Sequence, residues 1–211
     1  MRKDEYSAHL DALNRIHYKA TNQILALMDG FYSNIEEGLF ELAHITGEDE
    51  QRRRCFDLMR ELRFRKSGLL KNFNRTLDRY RVMWFSGESS NVSSRQSGNV
   101  PNDLRSLIDE MAQKSYSHFS GLLTIIAERV SDATSSPIHA SALPISPMNV
   151  SKAFVISCRS LRMDTASIEI IQNLFGRFVL DSLGSVYGET NRCLEECGYH
   201  SLSETEQVSG A

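Results

Sequence analysis

DEQRRRCFDLMRELRFRKSGLLKNFNRTLDRYRVMWF, residues 49–85, decides the fold class. It contains no proline, and Phe56, Met59, Leu62, Leu69, Leu70, Phe73, Leu77, Tyr80 and Trp84 recur at the three-and-four spacing of one helix face. The spacing predicts a single continuous helix whose apolar face is covered by the rest of the chain. Between Gln51 and Arg81 stand eleven Lys and Arg against three acids, Asp57, Glu61 and Asp78. At about 100° per residue, Arg53, Arg60, Lys71 and Arg75 fall together, opposite the apolar stripe. One side of the helix packs, and the other is a cationic ridge that forms the candidate binding site.

Before this stretch, Leu10, Leu13, His17, Ala20, Ile24, Leu27 and Phe31 form a seam for another helix, predicted over about Asp4 to Met28. Asp29-Gly30 then reads as a break, with Ser33 and Glu36, or Asn34 and Glu37, as the capping box of a short second helix carrying Ile35, Leu39, Leu42 and Ala43 inward. Gly47 ends it, and Glu48, Asp49 and Glu50 supply the negative charge that a helix N-terminus favours.

After it, residues 86–102 are almost wholly Ser, Gly, Asn and other small polar residues, the composition of a flexible linker. A third helix is predicted through about Ser131 on Leu104, Leu107, Ile108, Met111, Phe119, Leu122, Ile126 and Val130. A loop with Pro137, Pro144 and Pro147 follows. Ser146-Pro147 reads as the start of a fourth helix with Val150, Phe154, Cys158 and Leu161, and Asp164 caps a fifth. The stripe of that fifth helix runs from Ile168 through Phe175 and Leu183 to Leu194, and Gly198 closes it. Phe56 and Phe175 are both expected in the core.

The 211 residues carry a net charge of −3, which conceals an asymmetry: −6 over residues 1–50, +8 over 51–100 and −5 over 101–211. The simplest partner for the basic helix is therefore the acidic remainder of the chain. No apolar run approaches the roughly 20 residues of a membrane span. The opening MRKDEYSAHLDALNR lacks the apolar stretch of a secretory leader, so a cytoplasmic protein is expected. Four cysteines, Cys55, Cys158, Cys193 and Cys197, lie within helical patterns and read as reduced thiols.

Two segments resemble the proteobacterial family catalogued as domain of unknown function 1631. In the first, Glu37, Leu39, Phe40, Glu41, Leu42 and Ala43, followed by Gln51, Phe56, Asp57, Met59, Arg60, Glu61, Leu62, Arg63 and Arg65, are similar to its N-terminal pattern. In the second, Pro147, Ala153, Phe154, Leu174, Phe175, Arg177, Val179, Leu180, Leu183, Tyr187, Asn191, Leu194 and Gly198 are similar to its ending, with Asn173 and Gly176 where that ending usually has Lys and Asp. The resemblance implies a helical fold and carries no reaction with it.

Chemistry is sparse. Cys193, Cys197 and His200 are the nearest approach to a metal constellation, with no evident fourth ligand, and buried thiols are the plainer reading. Cysteines and histidines supply no nucleophile signature, and no glycine-rich phosphate loop is present. His17 reads as a satisfied core histidine. Arg75 and Arg79 give an RxxxR and Asn91-Val92-Ser93 begins a second-messenger motif, but Gln96 stands where that motif needs glycine.

The sequence thus predicts an all-α protein of about five helices, long antiparallel helical hairpins forming a bundle. Its parts are a hairpin over 1–85, the linker 86–102, a helical region over 103–200 and a disordered tail over 201–211. A non-catalytic regulatory or scaffolding role through protein–protein contact is expected, without cofactor or metal, and with homo-oligomerisation open. The alternative is nucleic-acid or nucleotide second-messenger binding through Arg53, Arg60, Lys71 and Arg75.

Overall fold

A computed structural model of the chain describes residues 3–85, 102–159, 161 and 164–201. Among them all regular structure is helical. The linker expected at 86–102 and the tail at 201–211 lie outside the described residues, except for Asn102 and Ser201 at their edges.

Helix α1 runs unbroken over Lys3–Ile45, 43 residues. The break expected at Asp29-Gly30 and the capping boxes at Ser33 and Asn34 do not form. A glycine costs a helix interior about 1 kcal/mol, whereas each fully buried large apolar side chain contributes roughly 1.5–3 kcal/mol. Met28, Phe31, Tyr32 and Ile35 are buried around Gly30, so burial outweighs propensity. Asn34 caps nothing, because its Nδ2 donates to the Gly30 carbonyl at 2.8 Å within the helix.

Helix α2, Asp49–Phe85, returns antiparallel to α1 with Asp49 and Glu50 in its first turn. Contacts along its length fix the register: Arg52 Nε donates to the Ala43 carbonyl at 3.3 Å, Arg63 Nε to Glu36 at 2.9 Å, Lys66 Nζ to Ser33 at 3.0 Å and Arg81 Nη1 to Asn14 at 2.9 Å. The stripe that α2 buries is Cys55, Leu58, Leu62, Leu69, Phe73 and Leu77, with Met59, Leu70, Tyr80 and Trp84 packed at its edges. Phe56 is not part of it. That ring is 46% exposed, one residue off the face that its neighbour Cys55 enters.

The expected third helix is two, α3 Asn102–His118 and α4 Ser120–Thr134. The chain turns at Phe119, whose ring lies against Gly184 so closely that a Cβ there would come within 2.8 Å of it. Helix α5, Pro147–Cys158, starts as predicted, with Ser146 accepting from the Asn149 amide and proline in the first turn. Helix α6, Thr165–Phe178, is capped by Asp164, which accepts from the Ser167 amide at 3.0 Å. The expected continuation to Leu194 is interrupted by a tight turn over Leu180–Ser182 before α7, Leu183–Glu196. There the Leu180 carbonyl accepts from the Ser115 hydroxyl at 3.2 Å, a contact invisible to periodicity. At the end of α7, Gly198 at φ 81° lets the Tyr199 amide reach back to the Leu194 carbonyl at 3.1 Å. The architecture is all-α, with seven α-helices among the described residues, where the sequence suggested about five.

One core draws on α1, α2 and α4 to α7. At its centre Phe154 and Phe175 stack with centroids 3.9 Å apart, and Phe31 meets both edge-on at 5.8 and 6.1 Å. Replacing Phe175 by Ala is expected to lower the unfolding free energy by about 3–5 kcal/mol, whereas Phe56→Ala changes it by less than about 0.5 kcal/mol. Urea unfolding of the two variants checks this; equal losses would show the core to be misplaced.

Candidate interaction surface

The face of α2 turned away from α1 and the core carries Arg53, Arg60, Lys71 and Arg75, all four exposed and in one line as their spacing predicts. Most cations on the flanks of the helix are paired within the chain. Arg52 meets Asp49 at 3.0 Å, Arg54 meets Glu50 at 2.6 Å and Asp164 at 3.2 Å, Arg65 meets Glu61 at 2.5 Å, and Arg81 meets Asp78 at 2.7 Å. Across the exposed groove between α1 and α2, Arg63 makes two hydrogen bonds to Glu36 and Lys66 meets Asp29 at 2.9 Å. The Arg63 guanidinium holds the Glu36 carboxyl below its ordinary range. Such exposed pairs contribute at most about 1 kcal/mol each, so their consequence is charge cancellation rather than stability.

The ridge is less neutralised. Arg60 has Asp57 at 2.8 Å, and Arg75 has, among the described residues, the Asn72 side-chain carbonyl at 3.0 Å. Arg53 and Lys71 have no ion-pair partner among the described residues.

Sequence periodicity missed the apolar members of this face. Phe64 is 82% exposed and Val82 51%, both in the register of the ridge, and Phe56 projects at its margin. Phe64 follows Arg60 by four positions and precedes Lys71 by seven, spacing that places it among cations and away from Leu62 and Leu69. That signal was available. On the neighbouring edge of α1, Phe40 is also exposed and its ring stands edge-on to His44 at 4.4 Å.

The N-terminal end of the ridge borders an open groove of about 520 Å³ lined by Asp49, Glu50, Arg53, Arg54, Asp57 and Asp164. Four carboxylates against two guanidiniums make that groove unfavourable for a phosphate backbone, which is polyanionic.

The other weighed residues do not converge. Cys55 and Cys158 are buried, and burial pushes both thiols up, Cys158 to about 12, away from nucleophilic thiolate. Cys193 lies 3.3 Å from the Lys19 ammonium, Cys197 is exposed, and the backbone amide of His200 donates to Asp132 at 3.1 Å. Among the described residues, no three His, Cys, Asp or Glu side chains form a metal-holding group. No helix among them is long and apolar enough to cross a membrane.

A family model described as Protein of unknown function (DUF1631) N-terminal domain matches residues 8–198. No curated protein and no solved structure matches the chain.

His17 sits buried in the α1 seam with its Nδ1 3.3 Å from the Thr21 hydroxyl. Burial and then the nearby Arg81 charge depress its pKa to about 4, against a weaker opposing pull from Asp78. Because the folded value lies below the unfolded one, stability present above the unfolded pKa is lost as pH falls toward the folded pKa, by about 3 kcal/mol in total. Wild type is therefore expected to lose that amount relative to His17→Leu between about pH 7 and pH 4. Urea titrations of both proteins at each pH measure it, and parallel pH profiles would refute the assignment.

Proposed function

The chain belongs to the DUF1631 family, and from that premise we propose that it works without catalysis, as a cytoplasmic regulatory or scaffolding protein that binds another protein through the outward face of α2. The observation that supports this most is Phe64, an aromatic ring 82% exposed in the middle of Arg60, Arg63 and Lys71. Singly exposed apolar residues are ordinary on protein surfaces. Here Phe56, Phe64 and Val82 share one helix with four ridge cations, and aromatic rings beside arginine are the composition enriched at protein-binding hot spots.

The second reading is nucleic-acid or nucleotide binding, in which the same cations hold phosphates and the rings stack on bases. Asp49, Glu50, Asp57 and Asp164 around Arg53, and Asp78 beyond Arg75, argue for a partner that tolerates mixed charge. A folded protein surface does, and a phosphate backbone does not.

Replacing Arg53, Arg60, Lys71 and Arg75 together by Gln is expected to abolish capture of the protein partner in a pull-down while leaving the thermal midpoint within a few degrees. Binding of the wild type to mixed-sequence DNA or RNA should be weak at about 150 mM salt. Submicromolar, salt-sensitive nucleic-acid binding at that ionic strength would overturn the protein reading.

A further inference from the structure

We infer that the occupant of this face is a second copy of the chain, packed hairpin against hairpin about a two-fold axis that runs along the helices. The inference rests on the protein-binding reading of α2 and specifies its partner. Its basis is that the hairpin presents two complementary edges on one exposed side. Glu36, Ser33 and Asp29 of α1 meet Arg63 and Lys66 of α2 across the open groove, which places the residues beside them on the same side of the molecule.

On the α1 edge stand Glu37 and Glu41, exposed and without an ion-pair partner among the described residues. On the α2 edge stand Arg53 and Arg60, of which Arg53 is equally unpaired. The contacts that fix the hairpin register set Glu37 level with Arg60, and Glu41 between Arg53 and Arg60. Within one copy the acidic and the basic edge lie side by side and do not pair with each other. A rotation of 180° about an axis along the hairpin lays α1 of each copy over α2 of the other at the same level. Each acidic edge then meets a basic edge, twice, as an isologous interface requires.

The shapes agree with the charges. Phe64 is level with Ser33, and around that point the outward side of α1 carries Ala26, Gly30 and Ser33. A Cβ built on Gly30 would meet nothing within 4 Å, so no packing among the described residues of one copy accounts for a glycine in the middle of a 43-residue helix. The two-fold arrangement seats the Phe64 ring of the second copy over this shallow place. At 1.5 Å per residue α2 is about 55 Å long, and two helices side by side span about 20 Å. A face of that size exceeds the roughly 800 Å² per partner of a standard stable interface.

Charge reversal with complementation tests the arrangement. Sedimentation equilibrium of wild type up to about 100 μM should show a dimer that loosens as salt rises from about 50 to 500 mM. Arg53→Glu with Arg60→Glu should be monomeric, as should Glu37→Arg with Glu41→Arg, and an equimolar mixture of the two double variants should dimerise again. Phe64→Ser, at an exposed position that leaves the fold intact, should weaken association by at least about tenfold. Circular dichroism confirms the helical content of each variant. A monomeric wild type, or a dimer indifferent to both reversals, or a mixture that stays monomeric, overturns the second copy as occupant. If association fails while the quadruple Gln variant still loses a protein in the pull-down, the protein-binding reading of α2 stands alone. If the wild type is monomeric and instead binds DNA or RNA at about 150 mM salt, both fall.

Discussion

Three phenylalanine rings set the terms for everything else in this molecule. Phe31 comes from the middle of α1, Phe154 from α5 and Phe175 from α6, so the hairpin and the C-terminal helices are joined where the rings meet. For helices to close on that cluster, backbones must approach elsewhere. Gly38 on α1 leaves 3.3 Å between a would-be Cβ and Leu174, and Gly176 on α6 leaves only 2.7 Å to the Met111 methyl. The clamp is completed by Arg129, buried on α4, which donates to the Asn191 carbonyl at 2.7 Å and approaches Glu195 at 3.6 Å. Asn191 in turn donates to the Leu122 carbonyl at 3.1 Å, so α4 and α7 are tied through buried polar groups.

What the sequence disclosed follows from this. Period and caps located α2, the Ser146 and Asp164 caps and the Gly198 terminus, because those depend on groups a few residues apart. Asp29-Gly30 misled, since the strongest local break signal lay where Met28 and Phe31 are both buried. The turns at Phe119 and Leu180 answer to Gly184 and Ser115, each more than sixty positions away along the chain, and no local pattern could announce them. Gly176 stands where the resemblance would place an aspartate.

The ridge was legible because four cations at helical spacing need only a continuous helix to align. Its apolar component was not recognised, and the reason is one of phase. The three-and-four spacing alone puts Phe56 on the packed side, although the buried stripe centred on Leu62 and Leu69 leaves both Phe56 and Phe64 outside. A hydrophobic residue read alone is ambiguous by one helical position; Cys55 and Leu58 settle the phase, and they were the less conspicuous residues.

The unbroken course of α1 has a mechanical meaning as well. At 1.5 Å per residue it is a rod of about 65 Å. Near one end His9 shares a hydrogen bond of 2.9 Å with the Tyr199 hydroxyl and Lys19 grips Glu189 at 2.5 Å, both at the far side of the bundle from the hairpin turn. An interrupted helix would absorb a tilt at its joint. This one has no joint between the hairpin turn and the Tyr199 end, so a single continuous helix carries the contacts made at both.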